Sequence, residues 1–271
     1  MSNKGIYTAL SGAMAQDLRM ETIANNMANV NTPGFKRDEQ VFREYLTAYE
    51  KQDDVIQVPK IPASIESFYA LQAGDRGYVD SAGTYTDQAQ GSLRSTGNQL
   101  DVALEGEGYF EVLTPQGIRY TRSGSFTLSP EGRLISKQGF PVLRRGEGAE
   151  NPETRFIEIG NTTNITFSGN GSIFSNGAEV GALSVVNVSD QNALRKVGGL
   201  MYGLKENYQA TVANVPNPSM RQGFLENSNV NIIQEMTDMI GATRVFESTQ
   251  KAIQAYDSMN DKLVNTVPSL R

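Results

Sequence analysis

Residues 24–37 read ANNMANVNTPGFKR. The residues before this stretch have the pattern of an amphipathic helix, and Thr32-Pro33-Gly34 cannot continue one. Four asparagines, Asn25, Asn26, Asn29 and Asn31, crowd the helix end. Asparagine is a poor helix residue, because its short amide competes for backbone hydrogen bonds. Pro33 and Gly34 then suit the second and third positions of a type II turn from Thr32 to Phe35. A long helix halted this sharply implies a change of architecture on the far side.

Working towards the N-terminus, residues 4–30 read as one helix. Ile6, Ala13, Met20 and Met27 fall at seven-residue steps, with Leu10 and Ala24 four residues on. That is a coiled-coil-like stripe, interrupted by Asp17. The helix would be roughly 40 Å long at the standard rise per residue. At the other end, residues 225–265 predict a second helix, capped by Asn229 or Asn231 and ended by Pro268. Ile232, Met239, Phe246 and Ile253 again step by seven, and Ile233, Ile240, Tyr256 and Leu263 broaden the face. It would run on the order of 50 Å. From periodicity alone, ordinary packing of two helices in one core is the simpler reading. The stripes are rich in Met and Ala, which makes them adaptable and suited to partners.

The middle is of another kind. Residues 76–204 alternate short apolar runs with turn signals, such as Ser129-Pro130-Glu131-Gly132, Asn170-Gly171 and Asn176-Gly177, and predict eight to ten short antiparallel strands. Two connectors flank them. Residues 37–75 begin helix-like (VFREYLTAYEK) and loosen at Pro59 and Pro62; residues 205–224 contain Pro216 and Pro218. The order helix, connector, strands, connector, helix implies an α+β chain: a discontinuous two-helix coiled-coil domain from residues 1–36 and 225–271, with an antiparallel all-β domain inserted.

Composition narrows the chemistry. The 271 residues suffice for a sizeable core, and 38% are apolar. Twenty-four basic against 30 acidic residues leave a net charge of −6, against a nucleic-acid surface. The chain has no Cys and no His, so thiolate nucleophiles, zinc-thiolate sites and Ser–His–Asp triads are excluded. No catalytic, cofactor or metal residues are assigned. No apolar run is long enough to span a bilayer, and the N-terminus lacks the apolar core of a signal peptide. The expectation is a soluble chain, or one exported without a cleaved signal.

Three separated motifs carry a resemblance. ANNMANVNTPGFKR is similar to the N-terminal signature of bacterial flagellar rod and hook proteins, and GFLENSNVNIIQEMTDMI (223–240) to their C-terminal one. GSLRSTGNQLDVALEGEGYF (91–110) with RYTRSGSF (119–126) resembles the rod subgroup. LDVALEGEGYF and QKAIQAYDSMNDKLVN (250–265) look most like the proximal-rod protein, with its distal-rod relative as the alternative. The resemblance implies a structural, non-enzymatic subunit. It would leave through the flagellar type III export apparatus and assemble in the periplasmic space with copies of itself and other axial proteins. Terminal helices would line the tube, and no small molecule, nucleic acid or membrane insertion would be involved.

In such a tube the stripe residues become an assembly interface: Ile6, Leu10, Ala13, Met20, Ala24 and Met27 on one helix, Ile232, Met239, Ile240, Phe246 and Ile253 on the other. Asn25 and Asn29 share a face one turn apart. A buried Asn fixes register at a cost in stability; Asn25 and Asn26 are read this way, and Asn29 is placed in the assembly interface beside them. For Asn31 and Asn229 a capping role stays equally open, and Asn231 is a cap candidate. Thr32, Pro33, Gly34 and Phe35 redirect the chain.

Three rivals have weaker support. Asp101, Glu105, Glu107 and Glu111 cluster around glycines, as a carboxylate hydrolase acting on peptidoglycan would need; exposed strand and turn positions explain them more simply. The fragments Gly106-Glu107-Gly108 and Gly169-Asn170-Gly171 do not extend to a phosphate-binding motif. A β-sandwich adhesin with helical arms would differ from the rod reading only in its partners. The glycosylation-type sequences at Asn161, Asn164, Asn170 and Asn187 would matter only in a eukaryotic secretory protein.

Overall fold

A computed structural model describes residues 4–47, 76–146, 151–160, 164–198, 200–205, 208 and 211–265. Pro59, Pro62, Asn161 and Pro268 lie outside the described residues. The chain divides into two compact units: residues 1–27, 38–86 and 232–271 in the first, 28–37 and 87–231 in the second.

The first unit contains helix α1 (Lys4–Ala28), strands β1 (Asp38–Thr47) and β2 (Arg76–Thr86), and helix α2 (Ile232–Asn265). The helices run antiparallel. Gly5 lies against the Tyr256 ring, Thr243 donates to the Met20 sulfur over 3.6 Å, and Asn26 donates to Glu235 over 3.2 Å. Between the first and last of these contacts, 21 residues forward on α1 match 21 backward on α2. Glu235 in the first turn of α2 and Lys262 in the last complement the helix dipole.

Two expectations fail in this part of the chain. The helix-like start of the 37–75 connector is strand β1, paired antiparallel with β2 from Asp38↔Thr86 to Thr47↔Arg76, with a bulge after Val41. Its Val, Phe, Tyr and Thr content suits a strand, but the partner is some forty residues away. The second helix starts at Ile232, not at 225, because Phe224–Glu226 form a strand.

The second unit holds the other fifteen strands found among the described residues. Five pair into a sheet with β5 (Tyr109–Thr114): β13 (Leu194–Lys196), β14 (Met201–Leu204), β6 (Gly117–Thr121), β12 (Val185–Val188) and β15 (Val212–Asn214), in spatial order β13-β14-β6-β5-β12-β15. A smaller sheet joins β9 (Ile165–Phe167), β10 (Ser172–Ser175) and β11 (Ala178–Ala182). Separate pairs unite β4 (Val102–Glu105) with β16 (Ser219–Gln222), β3 (Leu93–Ser95) with β17 (Phe224–Glu226), and β7 (Phe126–Leu128) with β8 (Leu134–Ser136). All pairings are antiparallel. Thirteen strands lie within residues 76–204, more than the eight to ten expected, since several have only three residues. Asn176 (φ 51°) and Gly177 (φ 84°) make the turn between β10 and β11, a position that demands left-handed backbone. One core gathers Phe110, Phe126, Leu134, Val142, Ile173 and Leu183, with Phe110 and Phe126 edge to face at 5.2 Å. Burying each such side chain contributes about 1.5–3 kcal/mol.

Candidate functional site

The asparagine-rich stretch divides its work. In the first unit Asn26 is buried, 1% exposed, while Asn25 is exposed. The Asn26 amide forms a reciprocal pair with the backbone of Asp38: its Nδ2 donates to Asp38 O over 2.8 Å, and Asp38 N donates to its Oδ1 over 3.0 Å. The same Nδ2 donates to Glu235 Oε2 over 3.2 Å, and Glu235 is itself 1% exposed. An amide can donate twice and accept from a backbone N–H at one place, where a hydroxyl has a single proton to give. Asn26 thus ties α1 to the start of β1 and the first turn of α2.

In the second unit the stretch ends in a turn. Thr32 N donates to Asn29 O, and Phe35 N to Thr32 O over 3.3 Å. Gly34 has φ 73°, as the third residue of a type II turn requires. A Cβ on Gly34 would stand 2.6 Å from Ser123 N, so only glycine fits. Thr32 Oγ1 donates to Asn29 Oδ1, and Asn31 is exposed.

Beyond the turn, Lys36 is buried, 1% exposed. Its Nζ donates to Glu226 Oε1 over 2.6 Å and to Ala89 O over 2.7 Å. Glu226 Oε1 also accepts from Gly91 N, while Gly34 N donates to Glu226 O. Arg122 approaches the other carboxylate oxygen at 3.6 Å and lies over the Tyr109 ring at 5.3 Å. Burial pushes the Lys36 ammonium below its usual pKa, against the upward pull of Glu226. Burial likewise raises the Tyr109 phenol to about 12. Phe35 is buried with Lys196 Nζ 4.2 Å from its ring centroid, and Lys196 donates to Lys36 O. Asn229 accepts from Arg37 N and donates to Asp87 O and Ala89 O. It fastens loops here and does not cap α2; Asn231 stands immediately before that helix.

The helices of the first unit carry two kinds of face. Of the seven-step residues on α1, Ala13 is buried, and Ile6, Met20 and Met27 are half-buried; Leu10 and Ala24 are exposed. On α2, Met239, Phe246 and Ile253 are half-buried, whereas Ile232 and Ile240 are exposed. A second stripe, missed in the sequence, runs outward along α1 as Tyr7, Leu10, Met14 and Leu18. Among the described residues, eleven of the fifteen exposed large apolar side chains lie on these two helices. Ile233 is 74% exposed and Met14 63%. Such patches mark interaction surfaces.

The four carboxylates of the hydrolase reading are dispersed among separate partners. Asp101 accepts from Thr96 and Ser125. Glu105 is paired with Arg221, and Glu107 accepts from Asn187. Glu111 is buried with Arg155 and Ser184. No two of them share a partner in these contacts. Lys36, Arg122, Glu226 and Glu235 were not singled out in the sequence. The one available signal was a charge set directly beside apolar residues, as in Phe35-Lys36 and Phe224-Leu225-Glu226.

Comparison with known proteins gives three family matches along the chain. Residues 6–36 match the family described as flagella basal body rod protein. Residues 103–175 match the flagellar hook protein FlgE/F/G D1 domain, and residues 221–266 the flagellar basal body rod FlgEFG protein C-terminal family. The chain is 31% identical over 269 residues to the flagellar basal-body rod protein FlgG of Buchnera aphidicola subsp. Acyrthosiphon pisum (strain APS), covering 95% of this chain and 97% of the relative. It is 31% identical over 270 residues to FlgG of Bacillus subtilis (strain 168), covering 97% and 98%. It is also 31% identical over 275 residues to the flagellar basal-body rod protein FlgF of Rhizobium meliloti (strain 1021), covering 98% and 99%. Relatives under both names thus stand at equal identity.

Proposed function

The chain belongs to the flagellar basal-body rod protein family, and from that premise we propose that it is a structural rod subunit joined to its neighbours through the outward apolar faces of α1 and α2. The observation that carries this reading is the concentration of exposed large apolar side chains on the two helices. A monomer gains nothing from them; each becomes worth about 1.5–3 kcal/mol when a neighbour covers it. Leu10, Ile232 and Ile240 lie on these outward faces. Ala13, Met20 and Phe246 serve the interface indirectly, by holding the helix pair together.

On this reading the neighbours are further copies of the chain and other axial proteins of the rod and hook. The subunit acts in the periplasmic part of the basal body, as a piece of an axle that bears torque around an export channel. It reaches that place through the flagellar export apparatus without a cleaved signal, and it works by assembly, without catalysis. The motifs LDVALEGEGYF and QKAIQAYDSMNDKLVN favour the proximal rod.

Sedimentation velocity on the full chain tests the interface. Wild type should associate as its concentration rises. Met14→Asp and Ile233→Asp should stay monomeric with unchanged far-ultraviolet dichroism, because each puts a charge where apolar surface must be covered. Variants that associate as wild type does would overturn the assignment.

A further inference from the structure

We propose that Glu226 has two alternative cationic partners, so that the segment of residues 28–37 can leave the second unit while the β-structure stays folded. Lys36 is the partner in the docked state, and Arg122 is held in reserve. The inference concerns one chain and stands apart from how the chain assembles.

The cluster is unbalanced. Two cations, Lys36 and Arg122, share one buried carboxylate, and all three groups are at most 5% exposed. Glu226 Oε1 is fully engaged by Lys36 Nζ at 2.6 Å and Gly91 N at 3.0 Å. Glu226 Oε2 accepts no hydrogen bond from the protein. It faces Arg122 Nη1 at 3.6 Å, beyond hydrogen-bond reach. Arg122 Nε and Nη1 are buried and likewise meet no protein acceptor. A buried guanidinium with idle donors beside an idle carboxylate oxygen is a costly arrangement. It becomes intelligible if the pair closes under some condition. A movement of less than 1 Å would bring Nη1 into hydrogen-bond distance of Oε2.

Departure of Lys36 is that condition. An unpaired buried carboxylate would ordinarily unfold its surroundings. Here Arg122 can close on Glu226 and also shed its repulsion from Lys36. Tyr109 steadies the guanidinium from one face. Asp87 is the further acid near Lys36, and Lys196 contacts its carbonyl rather than its ammonium. The segment is also held by hydrogen bonds at Gly34 and Arg37, by the buried Phe35 ring, and by Lys196, which donates to Lys36 O and lies over that ring. None of these leaves a buried charge behind when broken, because Lys196 is only half-buried and its ammonium can turn to water. The result is a joint with two paired states, biased by whatever engages residues 28–37.

Hydrogen exchange on the full chain tests this, read at the Gly34 and Arg37 amides for docking and at the amides of β3 and β17 for the β-structure. Lys36→Met should speed exchange at Gly34 and Arg37 at least tenfold and change β3 and β17 by less than about threefold. Arg122→Met alone should change neither set by more than about threefold. Lys36→Met/Arg122→Met should lose at least thirtyfold protection in β3 and β17. Equal loss of β3 and β17 protection in Lys36→Met and in the double variant would overturn the proposal. So would a double variant no worse than Lys36→Met. If Lys36→Met fails to fold while Lys36→Met/Glu226→Gln folds, Arg122 is no substitute and the proposal is wrong.

Discussion

Replacing Asn26 with leucine should break the first unit at its tightest point. The leucine fills a similar volume, so the loss is one of polarity. Three hydrogen bonds disappear: two with the backbone of Asp38 and one to Glu235. The neutral pair contributes about 1 kcal/mol per bond, and the bond to the carboxylate about 1.5–3 kcal/mol. The groups left behind cannot all turn to water, since Glu235 is 1% exposed. The expected destabilisation is about 3–5 kcal/mol, a large share of a typical domain's stability. Urea unfolding followed by dichroism at the helix band gives the magnitude, and exchange of the Asp38 amide locates it. Asn25→Leu, at the exposed neighbouring position, should fall within about 0.5 kcal/mol of wild type. Asn26→Asp should be damaged as well, because it retains the acceptor for Asp38 N but sets a second carboxylate against Glu235. An Asn26→Leu variant within about 1 kcal/mol of wild type, with the Asp38 amide still protected, would refute the reasoning.

Two further outcomes follow from the second unit. Tyr109, whose phenol is raised to about 12, keeps its proton in the fold where the unfolded chain would lose it; its contribution is intact below pH 10 and disappears between pH 10 and 12. The loss is on the order of 3 kcal/mol, so stability measured by urea unfolding should fall more steeply over that window in wild type than in Tyr109→Phe. Gly34→Ala meets both a left-handed backbone and the Ser123 amide, and should lower the thermal midpoint of the second unit by about 5 °C or more, from at least 1–3 kcal/mol of strain.

The long helices and the β-rich middle were legible because their signals are local. Seven-step apolar spacing marks α1 and most of α2, and Asn-Gly or Ser-Pro-Glu-Gly marks turns. What escaped depended on partners far along the chain. Phe224–Glu226 extend the helical spacing of α2, yet they pair with Leu93–Ser95. The 38–47 stretch has a passable helical pattern until β2 claims its backbone. Asn25 and Asn26 are indistinguishable by type; one turns outward, and the other meets Asp38 and Glu235. Lys36 and Glu226 are 190 residues apart, and nothing in either neighbourhood names the other. The seven-step stripe was the conspicuous pattern on α1, but much of it is covered within the chain. The outward Tyr7, Leu10, Met14 and Leu18 stripe is spaced three and four residues apart and looked like mere breadth of the same face.

The chain's lack of cysteine allows the central claim to be tested by single-cysteine cross-linking of assembled protein. Cysteine is placed singly at Met14 or Ile233 on the outward faces, and at the buried Ala13 for contrast. A short bis-maleimide is added to concentrated, assembled protein, and covalent dimers are counted by denaturing electrophoresis. If the outward faces join subunits, Met14→Cys and Ile233→Cys yield dimers and Ala13→Cys yields none. Dimers from Ala13→Cys with none from either outward position would show that subunits meet through the other face of the helices.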